Sequence, residues 1–370
     1  MPLCLRCKII KLNESILMKK LILLILSVSI LLTLLTCNRE LPSPKPYNIT
    51  CYAAGYGQGI YVSNNGGDSW YPLEMDQKDL YAYFKRLYRN PINKHDLYIT
   101  TNGVGLFKTN ISIGDIERVD QFKELNVTSL LFSDDLASGM SSFLLISLDT
   151  GGVYQSDDKL KSWQTRNQGL AYRDVNTLSS TGKDIYAGTT HDLFKWDKNE
   201  NKWVSSSQGI KNKNILTIHG VEDNKTLLSG SGSYNGIKGR FEDIPCLYKS
   251  TDAGRSWQAS DKGIPDGTLV YSLAVTRSKL EKIYAGTSDG VYLSIDKGES
   301  WLKTEEGLPK KFRVVDIETA TMEDGSSVVY AVGSKGIFMT VDDGNSGWVG
   351  KNYGLPQTTM TSIIIVKNPD

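Results

Sequence analysis

An all-β protein built as a closed ring of seven four-stranded units is what this sequence predicts, and three observations predict it. Glycine supplies 34 of the 370 residues, beside 19 tyrosines and 7 tryptophans, a composition suited to many short strands joined by tight turns. An aromatic residue recurs at Tyr61, Phe107, Tyr154, Phe194, Tyr248, Tyr292 and Phe338, at intervals of 46, 47, 40, 54, 44 and 46 residues. Each interval has room for four strands, the repeat of a propeller blade. The third observation is an eight-residue pattern that returns five times. Together they predict a seven-bladed β-propeller over residues 48–370.

The pattern is clearest at Ser294, Asp296, Gly298, Ser300 and Trp301, where the alternating run Val291 to Leu293 ends in a polar turn closed by a large ring. It repeats at Ser250, Asp252, Gly254, Ser256 and Trp257. Variants stand at Ser63, Asn65, Gly67, Ser69 and Trp70, at Ser156, Asp158, Leu160, Ser162 and Trp163, and, one residue longer, at Thr340, Asp342, Gly344, Ser346 and Trp348. The glycine supplies the positive φ of a tight turn, and short Ser and Asp side chains accept hydrogen bonds from the turn's own amides. The tryptophan then buries its ring at the next strand. This spacing resembles the Asp-box, or BNR repeat, of sialidases, sortilin-type domains, xyloglucanases and photosystem II assembly-factor-like proteins. The resemblance implies that the boxes lie in outer hairpins away from any central site, so that Asp252 and Asp296 are structural.

Within one unit the strand order is legible from Leu269 to Thr304. LVYSLAVT forms an innermost strand, KIYAGT a second, GVYLS a third, and the segment after Trp301 a fourth. The second unit, Leu106 to Asp120, has no box tryptophan, and the fourth reads WDKNENKW in its place; strand pairing rather than the box must hold those blades. The first unit begins directly with a second strand, Asn48 to Ala54, whereas the last residues, Thr359 to Lys367, form an innermost strand with nothing after it. The C-terminal strand therefore completes the first blade and leaves no open edge.

Ahead of the repeats, Met18, Lys19 and Lys20 precede a sixteen-residue apolar run, Leu21 to Thr36, and then Cys37. This is the layout of a signal peptide, and the run is short of the ~20 residues that span a bilayer. Its end, LLTC, resembles a bacterial lipobox, with Leu35 and Thr36 where small residues are usual. The resemblance implies a lipid on Cys37, a membrane contact through that lipid and a location in the bacterial cell envelope; a plainly cleaved signal and an uncleaved anchor are the alternatives. Residues 1–17 are an extension or are not translated, and the Pro-rich residues 38–47 form a spacer.

From Asn38 onward the chain holds 37 basic and 40 acidic residues, near −3, so nucleic acid is not an expected partner. Cys4 and Cys7 have no second pair, and His95, His191 and His219 fall in different repeats, so no metal site and no cofactor are expected. Cys51 and Cys246 lie in non-adjacent blades, too far apart to be expected to form a disulfide. A closed ring of this kind is expected to be a monomer.

Loops entering the innermost strands, and loops joining second to third strands, would build a ligand face. The first set carries Tyr172, Arg173, Asp174, Lys310, Lys311, Phe312 and Arg313; the second carries Asp149, His191, Asp192, Asp289 and Lys335. The swollen loop from Ser231 to Pro245 adds Tyr234, Arg240, Phe241, Glu242 and Asp243. Long loops on a rigid scaffold are where binding concentrates. Arg173, Arg313, Lys310, Lys311 and Arg240, with Tyr234 and Phe241, make one candidate binding surface for a protein or glycan.

A glycosidase would need two carboxyls about 5 to 9.5 Å apart across a cleft. Asp149, in LDTGGVY, resembles the aspartate loop before the third strand of xyloglucanase-type propellers, with Asp289 and Asp192 as candidate partners. An aspartate before glycine is also a good turn residue whatever the function. The arginine motif of sialidases is missing, and seven repeats depart from their six, so sialidase catalytic residues do not transfer. The reading preferred here is a non-enzymatic, exported binding or assembly scaffold, with glycoside hydrolysis as the alternative.

Overall fold

The structure is a computed structural model and describes residues 48–367 apart from 75–82, 92, 94, 112–115, 134–142, 157–159, 183, 222–224, 233–243, 277–280 and 342–346. Cys37, Tyr234, Arg240, Phe241, Asp158, Asp342 and Gly344 lie outside the described residues, as do the apolar run 21–36 and the spacer. Among the described residues no helix is long and apolar enough to cross a membrane.

Seven antiparallel four-stranded sheets form the ring. Blade 1 pairs Met360–Lys367 with Ile49–Gly55, in the register Ile49 to Lys367 and Ala53 to Ile363, followed by Gly59–Ser63 and Tyr71–Pro72. The C-terminal strand thus closes the ring as expected. The innermost strands of blades 2 to 7 are Phe84–Arg89, Val127–Ser133, Val175–Thr181, Ile215–Gly220, Val270–Val275 and Val314–Thr321. We call the end where these strands start the upper end; the turns between second and third strands share it, and the repeated Ser-Asp-Gly turns lie at the lower end.

Burial peaks at the second strand of each blade and falls outward from it, for a geometric reason. A second strand is covered on both faces by neighbouring blades, so Ser327–Gly333 and Asp96–Thr101 are buried throughout and read as runs of apolar and small residues. The outermost strands, such as Gln258–Ala259 and Tyr71–Pro72, are two residues long and exposed. The core is accordingly divided into clusters between blades. Leu228 and Leu247 of blade 5 pack with Val270, Leu273, Ile283 and Trp301 of blade 6, and Tyr284 and Val291 of blade 6 with Val314, Ile317 and Trp348 of blade 7.

The repeated turns are built as their residue types require. Ser250 Oγ accepts the Gly254 amide at 2.9 Å and donates to Asp252 at 2.8 Å, while Asp252 accepts the Ser256 amide at 2.9 Å and the Ser256 hydroxyl at 2.6 Å. Gly254 has φ of 79°. The Ser294 turn repeats these contacts; the Ser63 turn keeps three of them with Asn65 in the aspartate's place and reverses the fourth, Asn65 Nδ2 donating to Ser69 Oγ at 2.9 Å.

Each tryptophan then fastens its blade to the one before. The indole N–H groups of Trp203, Trp257 and Trp301 donate to the carbonyls of Arg166, Ser206 and Ser260 at 2.7 Å, and Trp70 donates to Lys351 at 2.9 Å. Trp348 reaches Thr304 Oγ1 at 3.1 Å. Facing them is a second repeat that the sequence reading missed, glycine followed by Leu or Ile, at Gly169, Gly209, Gly263, Gly307 and Gly354. A Cβ on any of these would lie 1.9–2.2 Å from the carbonyl oxygen of the facing tryptophan. Trp163 is the exception: its indole nitrogen is buried without a hydrogen-bond partner, against the edge of Phe122 at 4.7 Å. Blade 2, the neighbour it would fasten to, is the blade without a box tryptophan.

Candidate functional site

The upper end gathers the residues singled out from sequence. Asp149 accepts a hydrogen bond from Asn126 at the adjoining loop. Asp192 is buried, accepts from the hydroxyls of Ser205 and Ser207, and faces Lys213 at 3.4 Å. Asp289 accepts from Tyr292 Oη at 2.8 Å and pairs with Lys303 at 2.8 Å. Partial burial would raise the Asp289 carboxyl, but Lys303 and Tyr292 outweigh it and hold the group below the usual carboxylate range. Asp192 and Asp289 are thus saturated by hairpin partners inside their own blades, an arrangement that orders a turn.

The basic residues behave differently. Arg173, Lys310, Lys311 and Arg313 are all exposed, and among the described residues none of them forms an ion pair. The backbone is hydrogen-bonded at two of them: the Arg173 carbonyl accepts from the Gly152 amide at 2.9 Å, and the Arg313 amide donates to Ser334 Oγ at 3.1 Å. Asp174, adjacent to Arg173, is engaged instead by His191 Nδ1 at 3.0 Å, and the His191 ring stacks on Tyr172 with centroids 4.9 Å apart. The result is a hydrogen-bonded loop platform with exposed cationic side chains above it.

The channel holds a second group of polar residues that sequence reasoning did not find. All seven innermost strands start with a buried apolar residue, skip one position in a β-bulge, and continue with a residue in register. The bulge re-aims the strand and sets one residue per blade in a ring: Ser362, Arg86, Ser129, Thr177, Thr217, Ser272 and Asp316. In five of the seven this residue is Ser or Thr. The hydroxyls of Ser129, Ser272 and Ser362 accept the amides of Leu178, Ile317 and Leu87 in the next blade at 3.1, 3.2 and 3.2 Å. Asp316 performs the same service for the Ile363 amide at 3.1 Å and also accepts from Ser362 Oγ at 2.8 Å and Ser272 Oγ at 3.4 Å. Arg86 cannot, because a guanidinium has no acceptor; it reaches across instead to the Tyr271 carbonyl at 3.3 Å.

From this ring a cavity of about 1610 Å³ extends to the lower ends of the innermost strands at Pro91, Gly182, Val221 and Thr321. Glu318, two residues beyond Asp316, lines it. Burial and the Asp316 charge push the Glu318 carboxyl up to about 8, with Arg86 opposing. Arg86 itself is held above its ordinary value: burial works against its charge, and Asp316, Tyr88 and Glu318 outweigh burial. The signal for these residues was present as a sevenfold four-residue pattern, apolar, any, Ser or Thr, Leu or Ile (VTSL, VNTL, VYSL, MTSI), in which FKRL and VVDI are the departures. Among the described residues no three His, Cys, Asp or Glu side chains gather as a metal site would require, and Cys51 and Cys246 are separate buried thiols.

No family model and no curated protein matches the chain. Solved structures match it. The extracellular domain of a one-component system from B. thetaiotaomicron superposes with a TM-score of 0.57 at 12% identity, over 86% of this chain and 48% of that one. YCF48 bound to D1 peptide gives 0.54 at 14% identity, over 78% of this chain and 86% of that one. These neighbours are seven-bladed β-propellers, as this chain is. A chain of the mitotic checkpoint complex gives 0.56 at 14% identity, over 80% and 86%. The present chain spans about half the length of the first of them, and at such identities the likeness is one of fold.

Proposed function

We propose that this propeller is exported, anchored by a lipid on Cys37 in the bacterial cell envelope, and acts as a non-enzymatic binding or assembly scaffold for a protein or glycan presented to its upper end. The observation that carries this reading is the contrast between the two kinds of charge there. Of the aspartates that a hydrolase would use as acid and base, Asp192 and Asp289 are tied into hairpin turns and Asp149 accepts from Asn126 of the adjoining loop, whereas Arg173, Lys310, Lys311 and Arg313 stand exposed. Exposed cations on a body near −3 steer an acidic partner and set its register more than they add affinity. YCF48 carries a D1 peptide on the same architecture, which supports a protein segment as the kind of partner; the likeness brings no photosystem with it.

The test is the double substitution Arg173→Glu with Arg313→Glu, followed by capture of partners from the native envelope at low and high salt. Capture should be lost in the variant and weakened by salt in the wild type. Unchanged, salt-insensitive capture overturns the reading. Glycan hydrolysis is screened in parallel with wild type and Asp149→Asn, and an activity that the variant loses would establish the hydrolase instead. Cys37→Ser should release the protein from membranes, and fatty-acid labelling that survives this change would refute the anchor.

A further inference from the structure

The floor of the central cavity lies below the upper-end surface and is chemically distinct from it. Arg86 replaces a Ser or Thr whose hydroxyl would receive the next blade's amide, so this position gives up a structural bond of the ring for a charged group. Of the five N–H groups of Arg86, one is directed to the Tyr271 carbonyl, and the Tyr88 hydroxyl lies against the same guanidinium; the fork keeps donors for a planar acceptor. Asp316 is already saturated by Ser272, Ser362 and the Ile363 amide, so it is a fixed counter-charge. Glu318 faces the same space with no hydrogen bond to any described residue.

We propose that this floor binds a small hydroxylated monocarboxylate, its carboxylate held by the Arg86 guanidinium and the Glu318 carboxyl group, its hydroxyls by the Ser and Thr side chains of the cavity wall. The charge count selects the class. With Glu318 in its acid form, Arg86 and Asp316 cancel at the ring, so one carboxylate is drawn by the guanidinium while a second negative charge at that spot would meet Asp316; Arg89 and Lys367 end their strands toward the lower end of the cavity. Ser179, Ser180 and Thr319 are among the wall hydroxyls, and Tyr88 and Phe132 supply an apolar face.

Binding carries a proton requirement. Glu318 donates to the ligand only while protonated, and a bound anion favours that form further, so affinity is level below about pH 8 and falls about tenfold per pH unit above it. The titratable and charged groups that line the cavity with Glu318 are Asp316 on its own strand, Arg86, Tyr88 and Arg89 from blade 2, His219 from blade 5 and Lys367 from blade 1, of which Asp316 and Arg86 act on its charge; blades 3, 4 and 6 present uncharged residues there.

Calorimetric titration of the full chain with gluconate, from about pH 6 to about pH 9.5, tests the site. Wild type should bind and lose affinity on the alkaline side. Glu318→Gln, which keeps a donor and cannot ionise, should bind with a flat pH profile. Arg86→Met should lose binding, while Arg173→Glu with Arg313→Glu should retain it, which separates this floor from the upper-end surface. Absence of gluconate binding to wild type, a flat wild-type profile, or equal binding of uncharged glucose would each overturn the proposal.

Discussion

The fastening of blade to blade by a buried indole makes a quantitative prediction, because one of the equivalent tryptophans has no bond to lose. Trp301 is 2% exposed and donates to the Ser260 carbonyl at 2.7 Å. Trp301→Phe removes that donor and leaves a buried carbonyl without it, at a cost of about 1–3 kcal/mol, and the smaller ring leaves a void that adds about 1 kcal/mol. Trp163→Phe opens a similar void, but its N–H is already buried and unpaired, so removing it relieves a desolvation penalty of about 1–3 kcal/mol. The edge contact with Phe122 survives in phenylalanine. Trp301→Phe should therefore destabilise by about 2–4 kcal/mol and Trp163→Phe by no more than about 1 kcal/mol. Urea unfolding followed by circular dichroism gives both values from midpoint and slope. Equal destabilisation of the two variants would refute the assignment of the indole hydrogen bond as the fastening.

Removing the last twelve residues, which deletes the innermost strand of blade 1, should abolish cooperative melting; a truncated protein that melts like the full chain would show that closure is not needed. Gly307→Ala should be far more damaging than Gly325→Ala, since both have φ near +80° but a Cβ at 307 would sit 1.9 Å from the Trp348 carbonyl oxygen while one at 325 meets nothing within 4 Å; comparable thermal midpoints would contradict this. Asp252, held at about 2 by Ser256, and Asp296, where Ser300 outweighs burial to give about 2, have depressed folded-state values, so their contribution is present above the unfolded value near about 4 and lost as pH falls through about 2. Replacing both by Asn, as blade 1 does naturally at Asn65, should flatten the acid side of the stability profile, and an unaltered profile would remove these groups as its cause.

Blade number, strand order and ring closure were legible in the sequence because each rests on a local rule repeated many times, such as the glycine of the Ser294 turn or the alternation in Gly290–Ser294. The glycines that face the tryptophans were equally regular, at QGL, QGI, KGI, EGL and YGL, but their reason is the carbonyl of another blade, which no local rule reveals. The channel ring was hidden for a different cause. A β-bulge shifts the side-chain phase by one position, so Arg86 and Asp316 look like strand residues of no special direction until the register is known. Asp149, Asp192 and Asp289 were found as loop aspartates, but their partners, Asn126, Ser205 with Ser207, and Lys303, depend on contacts that the sequence does not show.

The adjacency of Ile49 and Lys367 in blade 1 means that the ring has a circular order and no intrinsic first blade. A short connection between those two positions would have the form of the turns that join innermost to second strands in the other blades. The chain could then be cut at another such turn, for example at the exposed residues 323–325 between Thr321 and Ser327, and every strand would keep its partners. The same adjacency puts both ends of the ring, Ile49 and Lys367, at the lower end, opposite the loops that enter the innermost strands.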